Sequence, residues 1–495
     1  MSYDPTYEPR EGLTHRDADW SGLAVLVVGL GVSGFAAADA LAERGARVIV
    51  VSRDTTDAII ERGQVLTILG VDVRLGPEHM RTPPDGTELV VTSPGVPPHD
   101  PLMLAAAAAG IPVWGEVELA WRMRAASGAA PWLTVTGTNG KTTTVKMLAS
   151  ILRAAGLRVT SAGNVGTPIL EAVLHPEPYD VLAVELSSFQ LHWQRSISAV
   201  ASACLNVAPD HLDWHGSYEE YLRAKGKVYA NTHLACIYNV NDPQTEHLVM
   251  EAEVVEGCRA IGFTTGIPAP SQLGLVEDVL ADRAFVGQRQ RSAAELCTLA
   301  DLRGDAPSVA PHYVANALAA AALARAYGVG PLAVRDGLRA FRPDPHRIAE
   351  VARSDGIRWV NDSKATNPHA AGAALHAFDS VVWIAGGLLK GADIDSLVSD
   401  VAPRLRAVIL LGADRAVIAE ALARHAPDVP VVDVGSTDTD VMRAVVQHAA
   451  RLAEPGDVVL LAPAAASMDM FTNYAARGDA FEEAVRRHIA QGGDQ

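Results

Sequence analysis

Short apolar runs recur along the chain, and most lead through small or polar residues into a stretch with helical spacing. Residues 24–29 predict a strand, 33–44 a helix and 46–51 a second strand. A further strand over 88–92 ends at Ser93-Pro94-Gly95. The pattern resumes near Pro131, with a strand over 132–136, a glycine loop and a helix over 141–155. Strands over 181–185, 200–205 and 235–238 and an alanine-rich helix over 312–327 follow. A third series has strands over 381–386, 407–411 and 457–461 with amphipathic helices between them. Strands alternating with helices imply parallel sheets covered on both faces, so the expected fold class is α/β. The expected divisions are an N-terminal extension over 1–19 and domains over 20–121, 122–343 and 344–495.

Composition narrows the function classes. The 495 residues are 49% hydrophobic and 20% charged, which fits globular domains and excludes long disorder. Net charge is −17, with no basic run, so a nucleic-acid partner is not expected. Cys204, Cys236, Cys258 and Cys297 form no CxxC pair, which argues against a disulfide framework or zinc knuckle and for a reducing, cytoplasmic setting. Residues 1–19 carry Asp4, Glu8, Arg10, Glu11 and Asp17 and do not read as a signal peptide. The most apolar window, 23–38, is cut by Gly29, Gly31 and Gly34, so no membrane span is expected. Only six of 41 basic residues are lysine: Lys141, Lys146, Lys225, Lys227, Lys364 and Lys390. In a chain that prefers the permanent guanidinium, each retained amine is a candidate for chemistry that needs one.

The glycine loops carry the first candidate chemistry. Gly137-Thr138-Asn139-Gly140-Lys141-Thr142 follows a strand and opens a helix. Backbone N–H groups at a helix N-terminus cradle phosphate, Lys141 reaches the β/γ-phosphates, and the Thr142 hydroxyl suits Mg²⁺. The alternative is a glycine turn before a buried helix. Gly29-Leu30-Gly31-Val32-Ser33-Gly34 has the GxGxxG spacing, but the next strand ends in Ser52-Arg53 rather than an acidic residue. That favours a phosphate-bearing ligand over NAD.

Further candidates lie at strand ends. Glu185 closes an apolar strand ahead of Leu186-Ser187-Ser188-Phe189-Gln190, where a carboxylate facing a phosphate loop would ligate Mg²⁺. His211 follows another strand. Lys225 and Lys227 read on pattern alone as solvated helix residues. A lysine among metal cations loses its proton more readily, and the neutral amine can add CO₂ to become an anionic carbamate ligand. The segments 361–367 and 386–391 read as ligand loops.

The strings GLGVSG, TGTNGKTTT, ELSSFQL, LNVAPDHLDWHG, YLRAK, NDSKATNP, GGLLKGAD and LAPAAASMDMF together resemble the Mur ligase family, over nearly the whole chain. The resemblance implies a Rossmann-like N-terminal domain, a central P-loop ATPase domain with a mostly parallel sheet, and a C-terminal Rossmann-like domain. ELSSFQL and NDSKATNP point to the branch that joins D-glutamate to UDP-N-acetylmuramoyl-L-alanine through an acyl phosphate. Carried over by position, Ser33, Ser52 and Arg53 would hold the UDP group, and Ser187 and Gln190 would also bind substrate. Gly137, Thr138, Asn139, Gly140, Lys141, Thr142, Thr143, Asn316, Arg347, Asp362 and Lys364 would bind ATP. Thr142, Glu185, His211 and carbamylated Lys225 would hold two Mg²⁺ ions, and Lys141, Asn164, His211 and Lys225 would be catalytic. Thr366, Lys390, Ser467, Met468 and Tyr474 would form the D-glutamate pocket. A monomer is expected. The chain departs from the family in having Tyr313 after His312, where asparagine is common, and Leu388-Leu389 before Lys390. Two other readings stay open: a related ligase with another amino acid, such as a folylpolyglutamate-type enzyme, and a non-catalytic nucleotide-binding regulator.

Overall fold

The computed structural model describes residues 8–303, 309–342, 346–435 and 441–492. The expected boundary between 343 and 344 lies outside the described residues, as do the first seven residues of the extension. Packing divides the described chain into two compact units. One comprises the residues up to Val207 with Ser217–Phe341; the other comprises Ala208–Gly216 and the residues from Arg342 onward.

The first unit holds two sheets. The smaller is wholly parallel, in the spatial order Asp72–Leu75, Arg47–Ser52, Ala24–Val28, Leu89–Thr92, Val113–Gly115. Its central strand is almost completely buried, as expected for an apolar run covered by helices on both faces. The turn after it needs glycine twice. Gly29 has φ +90, and a Cβ on Gly34 would stand 1.9 Å from the Gly29 carbonyl oxygen. The extension is part of this fold. Leu13 and Trp20 are buried, Arg10 grips Glu88 through two hydrogen bonds of 3.0 Å, and Arg122 reaches Glu8 at 2.7 Å.

The larger sheet has nine strands. Its core order is Arg259–Phe263, Ala235–Asn239, Ala201–Cys204, Trp132–Thr136, Val181–Glu185, Val159–Gly163, all parallel. Beyond it lie Gln272–Val276, Val279–Asp282 and Ala294–Thr298, an edge the hydrophobic pattern did not disclose. The last two pairings are antiparallel. The helix Lys141–Ala154 buries Val145, Leu148, Ile151 and Leu152. It meets the helix Pro331–Ala340 so closely that a Cβ on Gly337 would lie 2.3 Å from the Ile151 Cα. The helix Pro311–Ala326 buries an unbroken run from Asn316 to Ala324, its small side chains allowing tight packing.

The second unit is a six-stranded sheet in the order Ala349–Ser354, Ile357–Asn361, Val458–Leu461, Val381–Gly386, Leu405–Leu411, Val431–Asp433. Only the first pairing is antiparallel. The last strand in sequence inserts between the second and third in chain order. The loops after Asn361, Gly386 and Leu461 therefore leave three adjacent strand ends, the position at which open α/β sheets take ligands.

Candidate active site

In the first unit the phosphate-loop candidates form one structure. Gly140 adopts the left-handed conformation at φ +83, and a Cβ there would come within 2.3 Å of the Asn316 Oδ1. Thus Asn316, on the alanine-rich helix, abuts the loop. Lys141 Nζ donates to the carbonyls of Gly137 at 2.8 Å and Thr138 at 2.9 Å. Thr143 is buried and Thr142 half-buried at the start of the helix. The loop is pinned from the next strand by Asn206. The Asn139 N–H donates to Asn206 Oδ1 at 2.8 Å, Asn206 Nδ2 donates back to the Asn139 carbonyl, and the Thr138 N–H donates to the Asn206 carbonyl.

Lys225 sits on the helix Tyr218–Gly226 and is 1% exposed. Its Nζ donates to the Gly137 carbonyl at 2.9 Å and lies 4.8 Å from the Tyr221 ring centroid. The Tyr221 hydroxyl in turn bonds the Thr138 Oγ1 at 2.8 Å. The expectation of a solvated face is corrected for both lysines of this stretch. Lys227 is half-buried, donates to the His192 carbonyl at 2.6 Å, and is pushed down to about 8 by burial and by the Arg195 charge.

Glu185 ends its strand fully buried. Asn164 Nδ2 donates to its Oε1 at 2.7 Å, and the Asn164 N–H to its backbone carbonyl at 2.9 Å. The other carboxylate oxygen, Oε2, is buried with no hydrogen-bond partner among the described residues. A bare buried carboxylate oxygen is costly unless a cation completes it, so the donor chemistry here fits a divalent metal.

The other candidates of this unit are engaged with the protein. Ser33 donates to the buried Glu116 carboxyl, which burial raises above the usual range while Ser33 and the Ile169 N–H pull it down. Ser52 is buried, and Arg53 pairs with the buried Asp100 at 2.8 Å. Ser187 and Gln190 form a capping box on the helix Ser188–His192. The Gln190 N–H donates to Ser187 Oγ, and the Ser187 N–H to Gln190 Oε1 at 3.0 Å. Their side chains thus serve the local fold, which sequence reading did not anticipate.

In the second unit, His211 has φ 54 and lies 3.6 Å from Asp210. Arg347 stands between two left-handed residues, His346 at φ 62 and Ile348 at φ 47, an uncommon conformation for a β-branched residue. Asp362 accepts from the Ile348 N–H at 3.2 Å. Burial pushes its carboxyl up to about 7, against the pull of that hydrogen bond and of Arg347. Lys364 Nζ lies 3.8 Å from the Tyr474 ring centroid.

The pocket candidates occupy the three neighbouring loops. The Ala464 N–H donates to the Ala365 carbonyl, beside Thr366, and Leu388 and Ala466 exchange backbone hydrogen bonds of 2.9 Å. These bonds bring the segments of Thr366, Lys390 and Ser467 together. Lys390 itself has φ 54, and Met468 is 70% exposed. Arg477 escaped sequence reading. Its guanidinium, 1% exposed, reaches Ser363, Gly386 and Ala465 at once. Asn206 and Tyr221 were given no role, although both lie within strings already singled out, LNVAPDHLDWHG and YLRAK.

Three family descriptions match in tandem: Mur ligase MurD-like, N-terminal domain over residues 23–115, Mur ligase middle domain over 135–324, and Mur ligase, glutamate ligase domain over 346–465. The chain is 62% identical over 468 residues to the UDP-N-acetylmuramoylalanine--D-glutamate ligase of Streptomyces avermitilis, covering 94% of this chain and 99% of that one. It is 60% identical over 471 residues to the protein of the same name from Streptomyces coelicolor, covering 95% and 99%. Among solved structures, the UDP-N-acetylmuramate-alanine ligase of Thermotoga maritima shares the fold at a TM-score of 0.54 and 18% identity, covering 94% of this chain and 99% of that one.

Proposed function

The chain belongs to the Mur ligase family, and on that premise we propose that it is an ATP-dependent ligase joining D-glutamate to UDP-N-acetylmuramoyl-L-alanine in peptidoglycan precursor synthesis. The observation that carries this reading is the end-to-end similarity to relatives named for that reaction. The substrate carboxylate attacks the γ-phosphate and ADP leaves; the amine of D-glutamate then attacks the acyl phosphate, and the tetrahedral intermediate loses phosphate and a proton to give the amide. The obstacle is electrostatic, because an anion must approach a polyanion.

Several groups have a part that their surroundings support. The helix start at Gly140, Lys141 and Thr142 offers backbone N–H donors to phosphate, those of Thr138 and Asn139 being engaged with Asn206, and Lys141 exchanges its two carbonyl acceptors for phosphate oxygens. Thr142 and Glu185 would hold a Mg²⁺ ion, for which the unsatisfied Glu185 oxygen is the supporting observation, and Lys225, as its carbamate, would serve a second. Bound metal would neutralise phosphate charge as the bond to phosphorus forms. His211 is kept as a proposed ligand on its motif alone. Asn164 orients Glu185. Ser33, Ser52 and Arg53 are assigned to the UDP group, and Thr366, Lys390, Ser467 and Tyr474 to D-glutamate. Among the described residues no helix is long and apolar enough to cross a membrane. We assign the enzyme to the cytoplasm and expect it to act as a monomer.

Phosphate release by the purified protein tests the whole reading. It should require ATP, Mg²⁺, UDP-N-acetylmuramoyl-L-alanine and D-glutamate together. Turnover with L-glutamate in place of the D-isomer would overturn it.

A further inference from the structure

Arg477 lies in the helix Tyr474–Gly492, more than a hundred residues from one of the loops it touches. Nε donates to Ser363 Oγ at 3.0 Å and Nη2 to the Ser363 carbonyl at 2.9 Å. Nη1 is shared between the Ala465 carbonyl at 3.1 Å and the Gly386 carbonyl at 3.4 Å. The Ser363 hydroxyl in turn donates a hydrogen bond to the Tyr474 carbonyl at 2.7 Å. One planar fork therefore ties together the loops after Asn361, Gly386 and Leu461, which carry Lys364 and Thr366, Lys390, and Ser467.

The electrostatics are as unusual as the geometry. Among the described residues, the hydrogen-bond acceptors of this guanidinium are carbonyls and a hydroxyl, and none is a carboxylate. Asp469 is the acidic group that acts on it, and its Oδ2 already accepts the Ala413 N–H at 2.8 Å. A buried charge held without an ion-pair partner is costly. A core that needed only packing would be better filled by an apolar side chain.

We infer that Arg477 is a positioning and specificity-determining residue of the amino-acid pocket, fixing its three loops in register and giving the crevice a standing positive potential that favours a dianionic amino acid. This rests on reading the crevice as the D-glutamate site. Arg477 does not touch the substrate. It acts through the backbone of the loops that do, and through a charge that no neighbouring carboxylate in hydrogen-bond contact cancels.

Arg477→Lys keeps the charge and loses the fork; Arg477→Gln keeps polar donors and loses the charge. Both should raise the KM for D-glutamate by about tenfold or more while the KM values for ATP and the UDP substrate change by less than about twofold. Preference for D-glutamate over D-glutamine should persist in Arg477→Lys and fall in Arg477→Gln. Hydrogen exchange should quicken at 361–367, 386–391 and 462–468 in both variants and stay unchanged in the first unit. An unchanged KM for D-glutamate in a folded variant, or a parallel rise in all three KM values, would overturn the inference. If the wild-type enzyme fails to use D-glutamate, the functional reading falls. The loop role is then judged by exchange alone, and unaltered exchange in the three loops refutes it.

Discussion

Lys141 and Lys225, from different helices, donate to the same acceptor, the carbonyl oxygen of Gly137, at 2.8 and 2.9 Å. The shared carbonyl draws both amines to the glycine loop, where the Lys141 ammonium suits a polyanion and the Lys225 amine, once carbamylated, would become an anionic metal ligand. Their environments differ. Lys141 is half-buried and opens the helix, whereas Lys225 is buried behind Tyr221. Lys225→Ala should abolish ligation, a loss of about a thousandfold or more, while ATP binding weakens only a few fold. Single-turnover phosphate release and nucleotide titration check both halves. An active Lys225→Ala enzyme would remove the carbamate assignment.

Glu185 offers a separable test. Glu185→Gln retains an acceptor for Asn164 but puts an amide where the unpartnered oxygen lies. Activity should fall by about a hundredfold or more, and the Mg²⁺ concentration for half-maximal rate should rise. Asn164→Ala, which only frees the carboxylate, should be milder. Equal Mg²⁺ dependence in wild type and Glu185→Gln would refute the metal role.

Glycine at 140 is required twice over, by φ and by Asn316. Gly140→Ala should cost about 1–2 kcal/mol from the left-handed backbone alone and should displace the Asn316 amide. Nucleotide affinity is the sensitive readout. Gly31→Ala is the control, since nothing lies within 4 Å of the added methyl. Comparable losses in both variants would contradict this account.

Asp362 predicts a pH dependence with a definite sign. Its ordinary value is 3.8 and burial raises it to about 7. Between those values the folded protein keeps a proton that the unfolded chain releases. The contribution to stability is therefore full below about pH 4, is lost as pH rises toward 7, and levels off above that. Asp362→Asn should flatten this part of the profile, with Tm differences of a few degrees between pH 5 and 8. Superimposable profiles for the two proteins would show the burial argument to be wrong.

The extension is structural. Leu13 is 1% exposed against the first domain. Leu13→Ala should cost about 2–3 kcal/mol, within the range for a buried leucine. Differential scanning calorimetry measures it, and a change below about 0.5 kcal/mol, the level of a surface substitution, would mean that the extension contributes nothing.

The strand–glycine–helix loops were legible in the sequence because their requirements are local. An apolar run, a glycine at a left-handed position and a lysine on the first turn lie within a few residues, and the phosphate-loop candidates accordingly cluster around Gly137–Thr142. Glu185 and the loops of Thr366, Lys390 and Ser467 were legible as strand ends for the same reason. Ser187 and Gln190 show the limit of such reading, since the spacing that suggests a binding motif also makes a helix cap.

By itself, the order of residues determined the α/β class, the strand–glycine–helix loop and the family, since these depend on short-range periodicity and on side-chain types at fixed offsets. Tertiary structure alone decided that Lys225 shares an acceptor with Lys141, that one Glu185 oxygen stays bare, and that Arg477 joins three loops. Those facts depend on burial and on hydrogen bonds between segments far apart in the chain. No local pattern encodes them, because the cost of burying a polar group is set by whatever else the fold brings beside it.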